Sequence, residues 1–320
     1  MRLQNKVKQL DNLLLNAKNV LIAVHMDPDV DAIGSALALR SVLIRRNISC
    51  VLWSADICKD NFSFLPNFTD VSLVIPDNIE FDLVISLDVA RFARIYDFSK
   101  IERVRKNISL INIDHHSDNS LFGDLNIVEN VSSVGELLYE IFRESEVLID
   151  ADIATCLYAA ISFDTGSFSY SNVSPKTLKI ASELLGYGAS ASKLSQAMFE
   201  NKTIEDFCLM KTALERFVVS KKYGYAYTSL LKEDESKSFK IIDFIRQLSG
   251  IEVFLAFQER ENDEVKISLR SRDFFSVQKF SAIFDGGGHF HASGIRMKGS
   301  LEEVISIVIE RLEKELSIIE

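Results

Sequence analysis

The feature that most constrains the fold is a series of short apolar runs in the first half of the chain. Four runs of this kind occupy residues 19–25, 48–53, 81–88 and 108–114. A stretch with the character of a helix, residues 31–46, separates the first two. Short continuous apolar runs that alternate with helices are typical of parallel strands buried on both faces. The first half therefore predicts an α/β fold built on a doubly wound, mainly parallel sheet.

The second half of the chain changes character. Helices are predicted at residues 133–163 and 175–216, and then strands at residues 223–230, 252–260 and 265–270, the last two forming a hairpin. Two further helices are predicted at residues 277–284 and from 301 onward. We therefore expect a doubly wound domain over residues 1–205 and a smaller mixed α/β domain over residues 215–320.

The charge of the chain restricts its partners. With 46 acidic and 36 basic residues it carries a formal net charge of −10. This charge disfavours binding of long duplex nucleic acid, because such binding depends on the neutralisation of many phosphates. Short or small phosphorylated ligands stay compatible with it, since bound metal ions supply positive charge locally.

Three observations predict a soluble cytoplasmic protein that does not bind membranes. No stretch approaches the ~18 uninterrupted apolar residues of a membrane span. Residues 1–19 lack the apolar core of a signal peptide. The four cysteines form no CxxC pair, as expected for reduced thiols in the cytosol.

All five histidines lie in clusters rich in aspartate or glycine. The clusters are HMDPDVDAIGS, beginning at His25, NIDHHSDN around residues 115 and 116, and DGGGHFHASG around residues 289 and 291. Imidazole and carboxylate together are ligands of first-row transition metals, so the pattern predicts a metal-dependent hydrolase. Because strand ends of a parallel sheet meet at one rim, we expect the first two clusters to lie together there.

A structural explanation competes for some of these residues. Asp31 could be the N-cap of the helix that follows it, and Asp88 and Asp164, each taken alone, are typical of caps and turns. The triplet at residues 114–116 is harder to explain by packing. Burying two imidazoles and a carboxylate costs several kcal/mol unless all three are paired.

The order of the motifs resembles that of the DHH phosphoesterases. HMDPDVDAIGS, the aspartate of VISLD, the DHH triplet and the aspartate of FDTG follow one another as the four motifs of that family. VKISLRSR followed by FDGGGHFHASG resembles the companion DHHA1 domain. These motifs span residues 25–294, and the length and layout are most similar to the nanoRNase/pAp phosphatase group.

The resemblance implies two divalent metal ions, usually Mn²⁺, at an active site in the cleft between the domains. The implied ligands are His25 and Asp29 for one ion, Asp31, His115 and Asp164 for the other, and Asp88 for both. Four carboxylates balance the charge of two divalent ions. Imidazole ligands favour manganese, iron or cobalt over magnesium.

The resemblance also implies roles for residues that do not bind metal. His116 would face the substrate phosphate, and Asp114 would hold a histidine in one tautomer. The implied substrate-binding residues of the second domain are Arg270, Ser271, Arg272, Gly287, Gly288 and His289. For His291 we expect a hydrogen bond within the second domain. The family often dimerises through the DHH domain, so a homodimer is also suggested.

The implied function is Mn²⁺-dependent degradation of short oligoribonucleotides to mononucleotides in the 3′ to 5′ direction, with dephosphorylation of 3′-phosphoadenosine 5′-phosphate (pAp). Hydrolysis of cyclic-di-AMP or pApA is an alternative that the sequence does not separate from it. A pyrophosphatase fits less well, because the second domain of those enzymes carries a different basic motif. A non-catalytic nucleotide-binding sensor is disfavoured by the complete ligand set. Aromatic residues that could recognise a base or belong to the core are Phe168, Tyr170, Phe274 and Phe275.

Overall fold

The apolar runs of the first half form a parallel sheet in the computed structural model of the chain. The structure describes residues 2–54, 62–95, 101, 108–200, 202–234 and 241–318, apart from the side chain of His289. The strands are β1 (Asn19–Ala23), β2 (Ser49–Trp53), β3 (Val71–Ser72), β4 (Leu83–Leu87), β5 (Ser109–Asp114) and β6 (Leu125–Val128). They lie in the order β3-β2-β1-β4-β5-β6, and every neighbouring pair is parallel. The order reverses between β1 and β4, the place where open α/β sheets bind ligands.

Helices accompany this sheet within residues 1–201, the first of two compact units. They are α1 (Leu3–Asn16), α2 (Val30–Arg45), α3 (Val134–Glu144), α4 (Ala151–Asp164), α5 (Pro175–Gly186) and α6 (Ala191–Phe199). The first turns of α2, α3, α4 and α5 are each capped by a side-chain oxygen. The capping residues are, in the same order, Asp29, Ser133, Asp150 and Ser174. These caps satisfy backbone N–H groups that would otherwise have no partner within the helix.

Helix α2 is buried along most of its length because it packs closely against α4. Gly34 makes this approach feasible. A Cβ atom at this position would lie 2.7 Å from the carbonyl oxygen of Cys156 on α4. The two helices are therefore close together at Gly34, and a larger side chain at this position would push them apart.

Residues 202–320 form the second unit, with a mixed sheet. Its strands are β7 (Val218–Ser220), β8 (Tyr225–Leu230), β9 (Val253–Glu259), β10 (Glu264–Ser271), β11 (Gly287–His289) and β12 (Ala292–Lys298). Its helices are α7 (Ile204–Glu215), α8 (Ile241–Ile245), α9 (Val277–Ala282) and α10 (Leu301–Ser317). The strand order is β11-β12-β10-β9-β8-β7, in which β8 and β9 pair parallel and the other neighbours antiparallel. Alternate residues of β10 pack in a core shared with Val304, Val308 and Leu312 of α10.

The predicted fold class is confirmed, since a parallel sheet with helices is followed by a smaller mixed α/β unit. The predicted hairpin is β9–β10, and its turn places Asn262 and Asp263 at φ 59° and 53°, a region that Asn and Asp tolerate better than most residues. The helical stretch predicted at residues 133–163 is two helices, α3 and α4. Elements that the sequence did not predict are α1, β3, β6, β7, α8, β11 and β12. In the described part of the chain, no helix is both long and apolar enough to cross a bilayer.

Candidate metal centre

Three neighbouring strands deliver the histidine and aspartate side chains to one rim of the parallel sheet. His25 follows β1 by two residues, and Asp88 follows β4 directly. Asp114 is the last residue of β5, and His115 and His116 come next. Since β1, β4 and β5 are adjacent in the sheet, these side chains meet at their carboxyl ends.

Helix α2 brings two more carboxylates to the same rim. Asp29 is the N-cap of this helix, and its Oδ1 accepts the N–H of Ala32 at 3.1 Å. The suggestion that Asp31 is the cap is therefore wrong, because the helix begins at Val30 and Asp31 lies in its first turn. From there the Asp31 carboxylate turns inward and is fully buried.

Asp164 reaches the rim from the end of α4. The chain then makes a left-handed turn, in which Gly166, Ser167 and Phe168 have φ of 54°, 55° and 63°. Such a run is costly for residues other than glycine, and strained backbone of this kind concentrates at functional sites. Asn172 ties the turn down by donating to the carbonyl oxygen of Asp164 at 3.1 Å.

Distances within the cluster are short enough for shared coordination. Nε2 of His25 lies 3.3 Å from Asp88 Oδ2. Nε2 of His115 lies 3.2 Å from Asp164 Oδ2, 3.5 Å from Asp88 Oδ1 and 3.9 Å from Asp31 Oδ2. Potential ligand atoms form three groups, each with all its atoms within 4.8 Å of one another: His25, Asp29 and Asp88; Asp31, His115 and Asp164; and Asp88, Asp114, His115 and His116.

Backbone carbonyls orient the two histidines that face the carboxylates. Nδ1 of His25 lies 2.7 Å from the carbonyl oxygen of Met26, and Nδ1 of His115 lies 3.3 Å from that of Val131. A carbonyl oxygen only accepts, so each Nδ1 carries the hydrogen. In the neutral imidazole, each Nε2 then faces the aspartates with its lone pair, which is the form in which a histidine binds a metal ion.

Asp114 orients the third histidine of the rim, His116. Its Oδ1 accepts from Nδ1 of His116 at 2.7 Å, and its Oδ2 accepts from Nδ2 of Asn119 at 2.5 Å. Asn119 also donates to the carbonyl oxygen of Val89 at 3.0 Å, which links the ends of β4 and β5. Asn119 was not predicted to take part, although it closes the NIDHHSDN motif that contains the triplet.

Several carboxylates lie close together in the cluster, and their charges shift the pKa values of its members. Burial and the nearby Asp88 raise the pKa of Asp31 to about 7. Burial and Asp31 hold the pKa of Asp164 well above its ordinary value. Burial would also raise the pKa of Asp88, but the imidazoles of His115 and His25 hold it well below its ordinary value. Burial lowers the pKa of His25, yet Asp88 and Asp29 outweigh it and raise that pKa to about 9.

These groups fit divalent cations. Oδ1 of Asp88 is buried and has no hydrogen-bond partner, although the imidazoles of His115 and His116 each lie 3.5 Å from it. An unsatisfied buried carboxylate oxygen is costly unless a charge of opposite sign binds it. Imidazole nitrogen and carboxylate oxygen also form a donor set suited to first-row transition metals.

Backbone donors that the sequence did not reveal hold Asp31 in place. Its Oδ2 accepts from the N–H of Val134 at 2.7 Å, and its Oδ1 accepts from the N–H of Gly135 at 2.9 Å. These N–H groups belong to the first turn of α3, whose N-cap is Ser133. The motif Ser-x-x-Glu at residues 133–136 signals a helix start. Nothing in that motif reveals that a carboxylate from α2 will accept its N–H groups.

In the second unit, the two predicted phosphate-binding arginines already have partners. Nε of Arg270 lies 3.4 Å from Asp243 Oδ1. Nη2 of Arg272 donates to the carbonyl oxygens of Arg246 and Leu248 at 3.1 and 2.9 Å. Arg272 therefore anchors the chain that follows α8, and its remaining donors are the ones that could meet a ligand.

The other predicted residues of the second unit lie along β10, β11 and the turn that follows β11. Ser271 Oγ and His291 Nδ1 are 3.0 Å apart, so His291 makes the expected hydrogen bond within this unit. A Cβ atom at Gly287 would meet open space, whereas one at Gly288 would lie 2.4 Å from the carbonyl oxygen of Ala292. Gly288 therefore has no room for a side chain beside β12, whereas Gly287 has room for one. The side chain of His289 lies outside the described part of the structure.

Fold and site together define the class of the protein. It is a two-unit α/β protein in which imidazole and carboxylate groups at neighbouring strand ends are placed to bind metal ions. The profile of the DHH family N-terminal domain matches residues 19–161, and that of the DHHA1 domain matches residues 222–315. The chain therefore belongs to the DHH phosphoesterase family.

Similar proteins resemble the chain over nearly its whole length. It is 32% identical over 303 residues to the bifunctional oligoribonuclease and PAP phosphatase NrnA of Thermus thermophilus, covering 93% of this chain and 90% of that protein. It is 30% identical over 290 residues to the protein of the same name from Bacillus subtilis, covering 86% and 88%. The crystal structure of an exopolyphosphatase-related protein from Bacteroides fragilis matches with a TM-score of 0.90 at 26% identity, covering 98% and 97%.

Proposed function

We propose that this chain is a metal-dependent phosphoesterase that degrades short oligoribonucleotides to mononucleotides in the 3′ to 5′ direction and dephosphorylates pAp. The observation that carries the proposal is the group of aspartates and imidazole Nε2 atoms at the rim of the parallel sheet. The names of the relatives from Thermus thermophilus and Bacillus subtilis support the substrate class.

We infer that the centre holds two divalent cations, with Mn²⁺ preferred. His25 and Asp29 would bind one ion, Asp31, His115 and Asp164 the other, and Asp88 both. The crowding of carboxylates supports two ions, and the imidazoles support Mn²⁺ over Mg²⁺. Bound there, the ions would lower the pKa of a water molecule and would stabilise the charge that develops in phosphoryl transfer.

His116 would supply a proton to the leaving oxygen. Burial lowers the pKa of His116, but the hydrogen bond to Asp114 and the charge of Asp88 outweigh it, so the pKa is raised. A raised pKa favours the protonated imidazole, which is the form that a general acid requires. Asp114 would keep the ring in place by accepting from Nδ1.

In the second unit, we propose that Arg270, Ser271, Arg272, Gly287, Gly288 and His289 bind the substrate phosphates. The run of glycines supports this role, because backbone N–H groups without neighbouring side chains can approach a phosphate closely. The net charge of −10 favours short substrates over long duplexes. The homodimer and the cytoplasmic location stay predictions from the sequence.

Product analysis with Mn²⁺ tests the proposal on a 5′-labelled RNA dinucleotide, a pentanucleotide, pAp, cyclic-di-AMP and inorganic polyphosphate. Asp88→Ala is the control for contaminating nucleases. Release of mononucleotides from the dinucleotide together with cleavage of pAp is the expected result. Opening of cyclic-di-AMP with pAp left intact would move the function to second-messenger turnover. Absence of metal-dependent cleavage of all five compounds would refute it.

A further inference from the structure

We propose that Phe274 and Phe290 form an aromatic surface of the second unit on which a nucleobase of the substrate stacks. The inference rests on the proposed function and deepens it, since it names the part of the substrate that this unit selects. A chain of phosphates without bases has no group that could use such a surface. The two Phe side chains would therefore distinguish nucleotides from inorganic polyphosphate.

Both rings are exposed, although Phe275, which directly follows Phe274, is buried. Phe274 is 58% exposed and Phe290 is 43% exposed, whereas the adjacent Phe275 is 4% exposed. Phe275 packs in the core, with its ring centroid 5.8 Å from that of Phe280. Exposing a large aromatic ring to water is unfavourable, so two such rings on adjoining segments point to a ligand that covers them.

Hydrogen bonds join the backbone segments that carry the two Phe residues. Phe274 lies in the loop of residues 272–276 that joins β10 to α9, and Phe290 lies in the turn between β11 and β12. The N–H of Ser271 donates to the carbonyl oxygen of His291 at 3.0 Å, before the loop. The N–H of Val277 donates to the carbonyl oxygen of Phe290 at 3.0 Å, after the loop. The loop thus leaves and returns at the turn that carries Phe290.

A buried carboxylate fixes the backbone that presents Phe274. Glu252 accepts from the N–H groups of Asp273, Phe274 and Phe275 at 3.1, 2.9 and 2.8 Å. Three consecutive N–H groups bound to one carboxylate leave the loop little freedom. A ring held on such a backbone loses little entropy when a ligand stacks on it.

Residues proposed to bind phosphate lie in the same segments. Ser271 ends β10 directly before the loop that carries Phe274, and Gly287 lies in β11, which the turn with Phe290 follows. A nucleotide offers a phosphate to these polar groups and the face of its base to the rings. Stacking of this kind tolerates any base, which suits an enzyme that shortens mixed RNA fragments.

The test compares Phe274→Ala and Phe290→Ala with Phe274→Trp, which keeps an aromatic face. Phe207→Ala is the matched control, because Phe207 is 62% exposed in the same unit but lies on α7. The substrates are pAp and the same bisphosphate without its adenine, each with Mn²⁺. KM for pAp is expected to rise about tenfold in each alanine variant with kcat unchanged. KM for the base-free compound should stay within about twofold, and Phe274→Trp and Phe207→Ala should match the wild type.

Two results would overturn the inference. One is an unchanged KM for pAp in both alanine variants, and the other is an equal rise in KM for the base-free compound. If the wild-type chain cleaves neither compound, the proposed function fails on its own. Calorimetric binding of AMP to the wild type and the alanine variants then decides the inference separately, since unchanged affinity would overturn it.

Discussion

Replacing Gly34 with alanine tests whether close packing of α2 on α4 assembles the metal centre. α2 carries Asp31 in its first turn, and α4 ends at Asp164. The added Cβ atom would lie 2.7 Å from the carbonyl oxygen of Cys156, well inside the 3.4–4 Å of ordinary contact. A backbone carbonyl of a buried helix cannot rotate away. The two helices must therefore separate, and the two carboxylates with them.

Two opposing effects determine how much Gly34→Ala changes the free energy of unfolding. Alanine is better than glycine inside a helix by about 1 kcal/mol. Overpacking costs about 1–3 kcal/mol, and the upper end applies here because the contact is with backbone. The net loss is then about 2 kcal/mol in the free energy of unfolding. For a unit of 201 residues this corresponds to a melting temperature lower by about 4–8 °C.

Thermal unfolding followed by circular dichroism, in EDTA and in Mn²⁺, measures this effect. Gly186→Ala is the matched control, because Gly186 is the last residue of α5 and a Cβ atom there meets nothing within 4 Å. That variant is expected to melt at the wild-type temperature or a few degrees above it. Gly34→Ala should also bind Mn²⁺ more weakly. A Gly34→Ala protein that melts at or above the wild-type temperature with unchanged Mn²⁺ affinity would refute the reasoning.

Three further substitutions test individual carboxylates. Asp88→Ala should abolish turnover of pAp and leave the circular dichroism spectrum unchanged, and near-normal turnover would contradict its bridging role. Asp114→Asn should lower the pKa of His116, because burial lowers that pKa and the hydrogen bond to Asp114 raises it. The alkaline limb of the kcat profile should then move to lower pH, and an unmoved limb would exclude His116 as the acid. Asp164→Asn should raise the melting temperature of the metal-free protein at about pH 8 and reduce the gain from Mn²⁺. Burial and Asp31 hold the pKa of Asp164 in the folded protein above its unfolded value, so the wild type loses stability as pH rises through the folded pKa. A difference between variant and wild type that does not grow from about pH 5 to about pH 8 would contradict this account.

Strands buried on both faces and long alternating strands could be predicted from the sequence, whereas short strands at the sheet edges could not. β4 and β5 are buried at almost every residue, so each consists mostly of apolar residues in sequence. β6 at the edge of the same sheet buries only alternate residues of four, a pattern too short to recognise. β11 consists of two glycines and a histidine, and only its pairing with β12 makes it a strand.

The position of a helix start depended on tertiary contacts. Asp29 and Asp31 are equally good N-caps by residue type. The helix begins after Asp29 because the carboxylate of Asp31 accepts the N–H groups of Val134 and Gly135, which lie more than 100 residues away. No local pattern contains that information.

Neighbouring residues of the same type also differ in their surroundings, and the difference is seen only in the folded chain. Phe274 and Phe275 are indistinguishable in sequence, yet one is exposed and the other lies in the core. The sequence predicts that Arg270 and Arg272 both bind phosphate. In the structure, however, one nitrogen of Arg272 donates to two backbone carbonyl oxygens. Such differences follow from which side of the backbone faces the core, which the strand and loop geometry decides.

The sequence by itself determined the α/β class, the rim at which the polar motifs gather and the residue types of the metal centre. It could do so because buried parallel strands require apolar residues and metal binding requires imidazole and carboxylate groups, and both requirements are visible in the residue types along the chain. Tertiary structure alone decided the distances between Asp31, Asp88 and Asp164, the tautomers of the histidines and the exposure of Phe274. These depend on contacts between segments far apart in the chain, for which residue type carries no local signal.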